Sequence, residues 1–337
     1  MSDMLKICYD RILPHELFRP RRTRRANGTL RAVFEFRKMW INGSTLGVRF
    51  MGGTPSQRAL VREQAQWWTE HANLTFDFNN ASTAEIRVAF DPSDGAWSFV
   101  GTDARSIPMN QPTMNLGFMD GGTTAHEFGH AIGLGHEHQN PAGGIEWNEE
   151  VVIRDLGGPP NNWTPEQVRH NVLEKYAVDQ IRGTTFDAGS IMLYAFPARW
   201  TKNGIATNAN EVLSNMDKAF IASAEAYPRT AISTVEVGVN AATATPAAIG
   251  VPGEEDLFTF TAAAAGRHII ETGGQTDVVM KLFGPNSQTL LIAEDDDGGV
   301  GLNSRIRADL IPGRYFVQIR HFNTARGTGS YTVSVRT

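Results

Sequence analysis

His-Glu-Phe-Gly-His-Ala-Ile-Gly-Leu-Gly-His, residues 126–136, is the stretch on which the reading of this chain turns. His126 and His130 stand four apart, and at about 3.6 residues per turn they leave one face of a helix. Both imidazoles can then meet one ion at about 2.0–2.1 Å, the usual Zn–N distance. Glu127 lies to one side of that face, too far round to be the obvious ligand but placed to take a proton from water on the ion. Gly133 breaks the helix, because glycine adopts positive φ at little cost, and the turn brings His136 back to the metal. Three neutral nitrogen donors leave a fourth position for water, the arrangement of catalytic rather than structural zinc. A bare His-Glu-x-x-His arises by chance, whereas the full eleven-residue pattern fixes five positions.

Outward from this motif the text reads as an α/β unit. Leu46, Val48 and Phe50 alternate with smaller or polar residues, as a half-buried strand does. Thr54 and Pro55 open a helix expected over 55–72, with Leu60, Ala65, Trp67 and Trp68 on its apolar face. Strands are expected at 74–78, 86–90, 97–101 and 113–118, and Thr124 is expected to cap the motif helix. Another helix is expected over 161–175, starting at Thr164-Pro165-Glu166. Helical text ends near 224–228. From Leu257 onward short alternating runs separated by Gly, Asn and Asp turns predict an antiparallel sandwich. The expected division is a basic N-terminal arm or pro-like segment (1–37), a catalytic domain (38–230) and a β-sandwich (231–337), with a linker at about 229–245.

Composition bounds the function. A formal charge of −5 with a pI near 6.0 gives no whole-chain basic field, so no nucleic-acid partner is expected. Arg19, Arg21, Arg22, Arg24 and Arg25 form a local basic run, read as a solvated arm or a processing site. No apolar run is long enough to span a membrane, and residues 1–20 lack the layout of a signal peptide. Cys8 is the one cysteine, which rules out an intrachain disulfide.

The motif, together with Ser190-Ile191-Met192-Leu193-Tyr194, resembles the metzincin zinc metallopeptidases. The resemblance implies a twisted mixed sheet with an active-site helix, and a methionine turn in which Met192 is an apolar floor beneath the metal. Glu137-His138 after the third histidine, and Tyr194 two residues after Met192, resemble the astacin-like branch. There Tyr194 would support the oxyanion of the tetrahedral intermediate. Gln139-Asn140-Pro141 and the missing disulfides depart from that branch, which points to a bacterial or fungal relative. Trp97–Gly101 resembles the upper edge strand that pairs with extended substrate. His138 is expected as a supporting or surface residue, and Glu137 is given no catalytic role.

Residues 240–337 resemble the pre-peptidase C-terminal domain of secreted bacterial peptidases, in Asp256-Leu-Phe-Thr-Phe, Thr276–Leu282, Glu294–Gly299, Pro312–Tyr315 and Gly327–Tyr331. Asp277, Asp295, Asp296 and Asp297 are oxygen donors suited to calcium, although the spacing is not that of an EF-hand. Their competing reading is a solvated acidic turn. Cys8 is a candidate for latency, its thiolate filling the open zinc position, against an inert thiol.

The function these readings imply is a secreted, monomeric, zinc-dependent endopeptidase cutting protein or peptide substrates by a metal-activated water. The sandwich would aid attachment or stability. The rivals are a catalytically idle zinc-binding or adhesive protein and a hydrolase of some non-peptide amide.

Overall fold

The computed structural model describes residues 8–11, 38–140, 142–158, 161–175, 186–229, 234–324 and 326–337. It divides into two compact units, Met1–Trp40 with Leu46–Arg229, and Ile41–Thr45 with Thr230–Thr337. The run Arg19–Arg25 lies outside the described residues. Among the described residues, no helix is long and apolar enough to cross a membrane.

The first unit runs β1 (Tyr9–Arg11), β2 (Thr45–Phe50), α1 (Pro55–Thr69), β3 (Thr75–Asp77), β4 (Ile86–Ala89), β5 (Ala96–Phe99), β6 (Met114–Leu116), α2 (Thr123–Ala131), α3 (Glu149–Gly157), α4 (Pro165–Val168) and α5 (Asn215–Ile221). Its strands form one mixed sheet in the order β1-β5-β6-β4-β2-β3. β2, β4 and β6 are parallel, β5 is antiparallel to β6, and β1 lies parallel to β5 with Tyr9 opposite Trp97 and Arg11 opposite Phe99.

α1 starts where the sequence places it. Thr54 and Gln57 form a reciprocal capping box and Pro55 holds the first helical position. Its inward face carries Val61, Gln64, Ala65 and Trp68, and two of these, Gln64 and Trp68, anchor α2. Gln64 donates to the Gly121 carbonyl at 2.8 Å and accepts from Ala125 N–H at 3.1 Å, while Trp68 Nε1 donates to the Ala125 carbonyl at 2.7 Å. This corrects the expected cap. Thr124 is buried within α2 and Gly122 precedes the helix without a side-chain cap, so Gln64 reaches across to serve the free amide.

The helix expected over 161–175 does start at Thr164-Pro165-Glu166, where the structure adds a capping box between Thr164 and Gln167, but it runs only four α-helical residues before a π turn at Arg169–Leu173. Two helices escaped the sequence reading, α3 and α5. α3 is short, and α5 starts at Ser214, whose capping partner is an aspartate, Asp217, rather than the usual glutamate or glutamine.

The second unit is a sandwich of largely antiparallel strands. Its strands are β7 (Val235–Glu236), β8 (Thr245–Ile249), β9 (Glu255–Ala262), β10 (Gly266–Gly274), β11 (Val278–Phe283), β12 (Leu291–Asp295), β13 (Arg305–Leu310), β14 (Gly313–His321) and β15 (Gly329–Arg336). They make sheets of order β13-β10-β15-β8 and β12-β11-β14-β9-β7, antiparallel save that the short β7 lies parallel to β9. Phe258, Phe260, Ile270, Met280, Leu282, Tyr315, Val317, Ile319 and Val333 alternate inward into a shared core.

Candidate metal centre and active site

α2 ends at Ala131 and Gly133 takes φ +104°, so the chain reverses where the sequence requires it. Two aromatic side chains secure the buried C-terminal end of the helix. Trp40 Nε1 donates to the Ala131 carbonyl at 2.8 Å, and the Tyr227 hydroxyl donates to the Ile132 carbonyl at 2.8 Å while accepting from Trp40 N–H at 3.1 Å. Neither residue was singled out from the sequence, and a lone Trp and Tyr far from the motif carry no pattern that would have found them.

The reversal brings three histidines together. His130 Nε2 lies 3.0 Å from His126 Nε2 and 3.1 Å from His136 Nε2. These contacts are not hydrogen bonds. His126 Nδ1 faces the Ile191 carbonyl at 2.7 Å and His130 Nδ1 faces the Leu134 carbonyl at 2.8 Å, so each Nδ1 carries the proton and each Nε2 presents a lone pair. Lone pairs held that close repel unless a cation stands among them. Nitrogens about 2.05 Å from a tetrahedral ion lie roughly 3.3 Å apart, near the spacing seen here, so the donor set fits zinc. The Cys8 sulfur completes the group, with all four ligand atoms within 4.8 Å of one another and all four residues buried.

Glu127, the neighbour of the first histidine, is fully buried in α2. Met192 is 2% exposed and lies against the helix between the two histidines, where a Cβ on Gly129 would come 2.4 Å from its sulfur. The Gly in His-Glu-Phe-Gly-His therefore has a packing reason that only the tertiary structure reveals.

Tyr194 packs 4.1 Å from the His136 ring and 4.3 Å from that of His138, and its hydroxyl donates to the Cys8 carbonyl. His138 is fully buried, not a surface residue, and its Nε2 donates to the Asn171 carbonyl at 2.9 Å.

A web of carboxylates holds the methionine turn. Asp217 accepts from Ser190 Oγ at 2.7 Å and Ile191 N–H at 2.9 Å, and Ile191 in turn orients His126 through its carbonyl. Glu137 accepts from Asn140 Nδ2 and Asp187 N–H, each at 3.0 Å. Burial pushes the Glu137 carboxyl up to about 7 against these hydrogen bonds, and burial also raises that of Asp217. Glu137, given no catalytic role from the sequence, tethers the segment leading into the methionine turn.

In the second unit Asp277, Asp296 and Asp297 bring ligand oxygens within 4.8 Å of one another. Asp295 does not join them. Its carboxylate accepts from Gly298 N–H at 2.9 Å and Arg305 N–H at 2.7 Å, which turns it to the backbone of the loop.

The profile of the astacin peptidases matches residues 34–225, more than half of the chain. The chain belongs to the astacin family. The zinc metalloproteinase nas-28 of Caenorhabditis elegans is 28% identical over 163 residues, 47% of this chain and 30% of that protein. A bone morphogenetic protein 1 homolog of Strongylocentrotus purpuratus is 30% identical over 148 residues, 42% of this chain and 21% of that protein. The chain thus spans about a fifth to a third of the length of these two relatives. Among solved structures, myroilysin is 39% identical with a TM-score of 0.56, and the match covers 59% of this chain and 100% of myroilysin.

Proposed function

We propose that this astacin-family chain is a zinc-dependent endopeptidase, held latent in the described form by its own N-terminal segment. The carrying observation is the convergence of three Nε2 lone pairs, two of them fixed by backbone carbonyls on the opposite ring nitrogen. His126, His130 and His136 would hold zinc, which would supply Lewis-acid polarisation of the scissile carbonyl and acidification of a water. Glu127 would act as general base and acid, taking a proton from the attacking water and returning it to the leaving amine. The Tyr194 hydroxyl donates to the developing oxyanion, and Met192 supports the histidines from below. The edge of β5 pairs with extended polypeptide, which gives affinity through backbone hydrogen bonds.

Latency follows from residues 8–11. Cys8 offers its sulfur as a fourth donor to the same ion. Its carbonyl holds the Tyr194 hydroxyl away from any substrate, and β1 occupies the edge of β5. We read the C-terminal sandwich as an attachment or stabilising module that works outside the cell. Asp277, Asp296 and Asp297 are its calcium ligands in this reading. Burial and mutual repulsion raise the carboxyls of Asp277 and Asp296, a strain that a divalent ion relieves.

The test is hydrolysis of casein and gelatin by the zinc-loaded full chain, its Cys8→Ala form and a Cys8→Ala/Glu127→Ala form, each with and without chelator. Cys8→Ala should be the more active, chelator should abolish its activity, and the added Glu127→Ala should cost about 10²–10⁴-fold while leaving zinc bound. A Cys8→Ala chain that holds zinc yet cuts neither protein refutes the endopeptidase reading.

A further inference from the structure

The outer edge of β5 carries a feature that the zinc chemistry does not use. Arg11 of β1 lays its guanidinium 3.9 Å over the Trp97 ring and bonds both oxygens of Asp94, at 2.9 and 3.1 Å. Trp97 Nε1 donates to the same Asp94 carboxylate at 2.9 Å, so ring and carboxylate are fixed relative to each other. The indole is 1% exposed and backed by Phe99 and Ile107, which leaves it no room to swing away. Asp94 by contrast keeps 40% of its side-chain exposure, so the cradle opens to solvent on its acidic side.

An aromatic face joined to a carboxylate suits one kind of guest. A planar guanidinium stacks on the ring while its N–H groups meet the carboxylate, and an ammonium satisfies the same two groups less completely. A neutral side chain gains only the ring, and an acidic one is repelled.

We propose that Asp94 and Trp97 form a substrate subsite for an arginine or lysine side chain, and that Arg11 is its intramolecular occupant. The proposal rests on the reading that substrate pairs with the edge of β5. Cys8 is the residue that faces the histidines, and Arg11 follows it by three positions along an extended segment, about 10 Å at roughly 3.3 Å per residue. A polypeptide laid along the same edge therefore presents a residue to the cradle within about three positions of the bond that is cut. The subsite gives the enzyme a preference for basic polypeptides, and Arg11 competes with them for it.

The test uses the zinc-loaded full chain carrying Cys8→Ala and Arg11→Ala, which leaves the cradle open. Matched ten-residue peptides differ only in Arg, Lys, Ala or Glu at each position within three of the cut, with kcat/KM measured and cut sites mapped by mass spectrometry. At one position Arg or Lys should exceed Ala by about five- to tenfold, the combined worth of a partly exposed ion pair and a cation–π contact. The ratio should fall towards one with Asp94→Asn, and Asp94→Lys should prefer Glu to Arg. Cleavage without any such preference, or a preference that survives Asp94→Asn, overturns the subsite and leaves the peptidase reading standing. Failure to cut any peptide overturns both.

Discussion

Replacing Gly129 with alanine probes the contact between the motif helix and the methionine turn. In isolation the change favours the helix by about 1 kcal/mol, because alanine is the better helix former. Here the new Cβ would stand 2.4 Å from Met192 Sδ and 3.0 Å from Trp68 Cζ2. Met192 is 2% exposed and Trp68 fully buried, so neither can step aside without disturbing the core. Overpacking of this kind costs about 1–3 kcal/mol, for a net loss of roughly 0–2 kcal/mol. At about 2–4 °C per kcal/mol the melting temperature should fall by up to about 8 °C. The shift also displaces the helix segment between two ligands, so zinc affinity should drop by about 10–100-fold, as for other changes that disturb ligand orientation.

A double-mutant cycle isolates the cause. Met192→Ala alone should cost about 2–5 kcal/mol by leaving a cavity. In that background Gly129→Ala should become stabilising by up to about 1 kcal/mol, because the obstacle has gone. The assay is thermal unfolding with and without zinc, alongside zinc affinity by competition with a chelating dye. If Gly129→Ala raises the melting temperature of the otherwise unaltered chain, or if the two substitutions are additive, the packing argument is wrong.

Tyr227→Phe should cost about 1–3 kcal/mol, since it strands the Trp40 N–H and the Ile132 carbonyl in the core; urea unfolding would read the loss. Asp217→Asn should change the pH dependence of stability. Burial raises the folded carboxyl, so the folded state binds more protons, and stability falls as pH rises from about 3.8 through the raised value. The asparagine form should lack that decline, and parallel slopes from pH 3.5 to 7 would refute it. Calcium should raise the melting temperature of the zinc-loaded chain, and Asp297→Asn should weaken the rise. Asp295→Asn tests a different role, because its carboxylate receives Gly298 and Arg305 and its loss should weaken the loop even without calcium.

The local features of the site were legible along the chain. Spacing of four placed His126 and His130 on one helical face, and Gly133 announced the reversal towards His136, because helical period and positive φ are properties of a few adjacent residues. The helix starts at Thr54-Pro55 and Thr164-Pro165 were readable for the same reason. Alternation likewise exposed most strands of the sandwich, each of which buries one face. The expected cap at Thr124 failed because Gln64, 61 positions from Ala125, supplies the bond instead.

What only the tertiary structure decided are the contacts between groups far apart in sequence. Cys8 joining the histidines, the Tyr194 hydroxyl meeting the Cys8 carbonyl, and β1 lying on β5 all depend on an N-terminal segment with no periodicity of its own. Trp40 and Tyr227 closing the end of α2, and Met192 filling the hollow left by Gly129, are of the same kind. Residue order by itself therefore named the three histidines that converge, since their geometry is set within one turn of helix and one reversal. The supports, the seating of β1 on β5 and the acidic-aromatic cradle came from the closing of the fold, where pairing is chosen by shape and unmet hydrogen bonds.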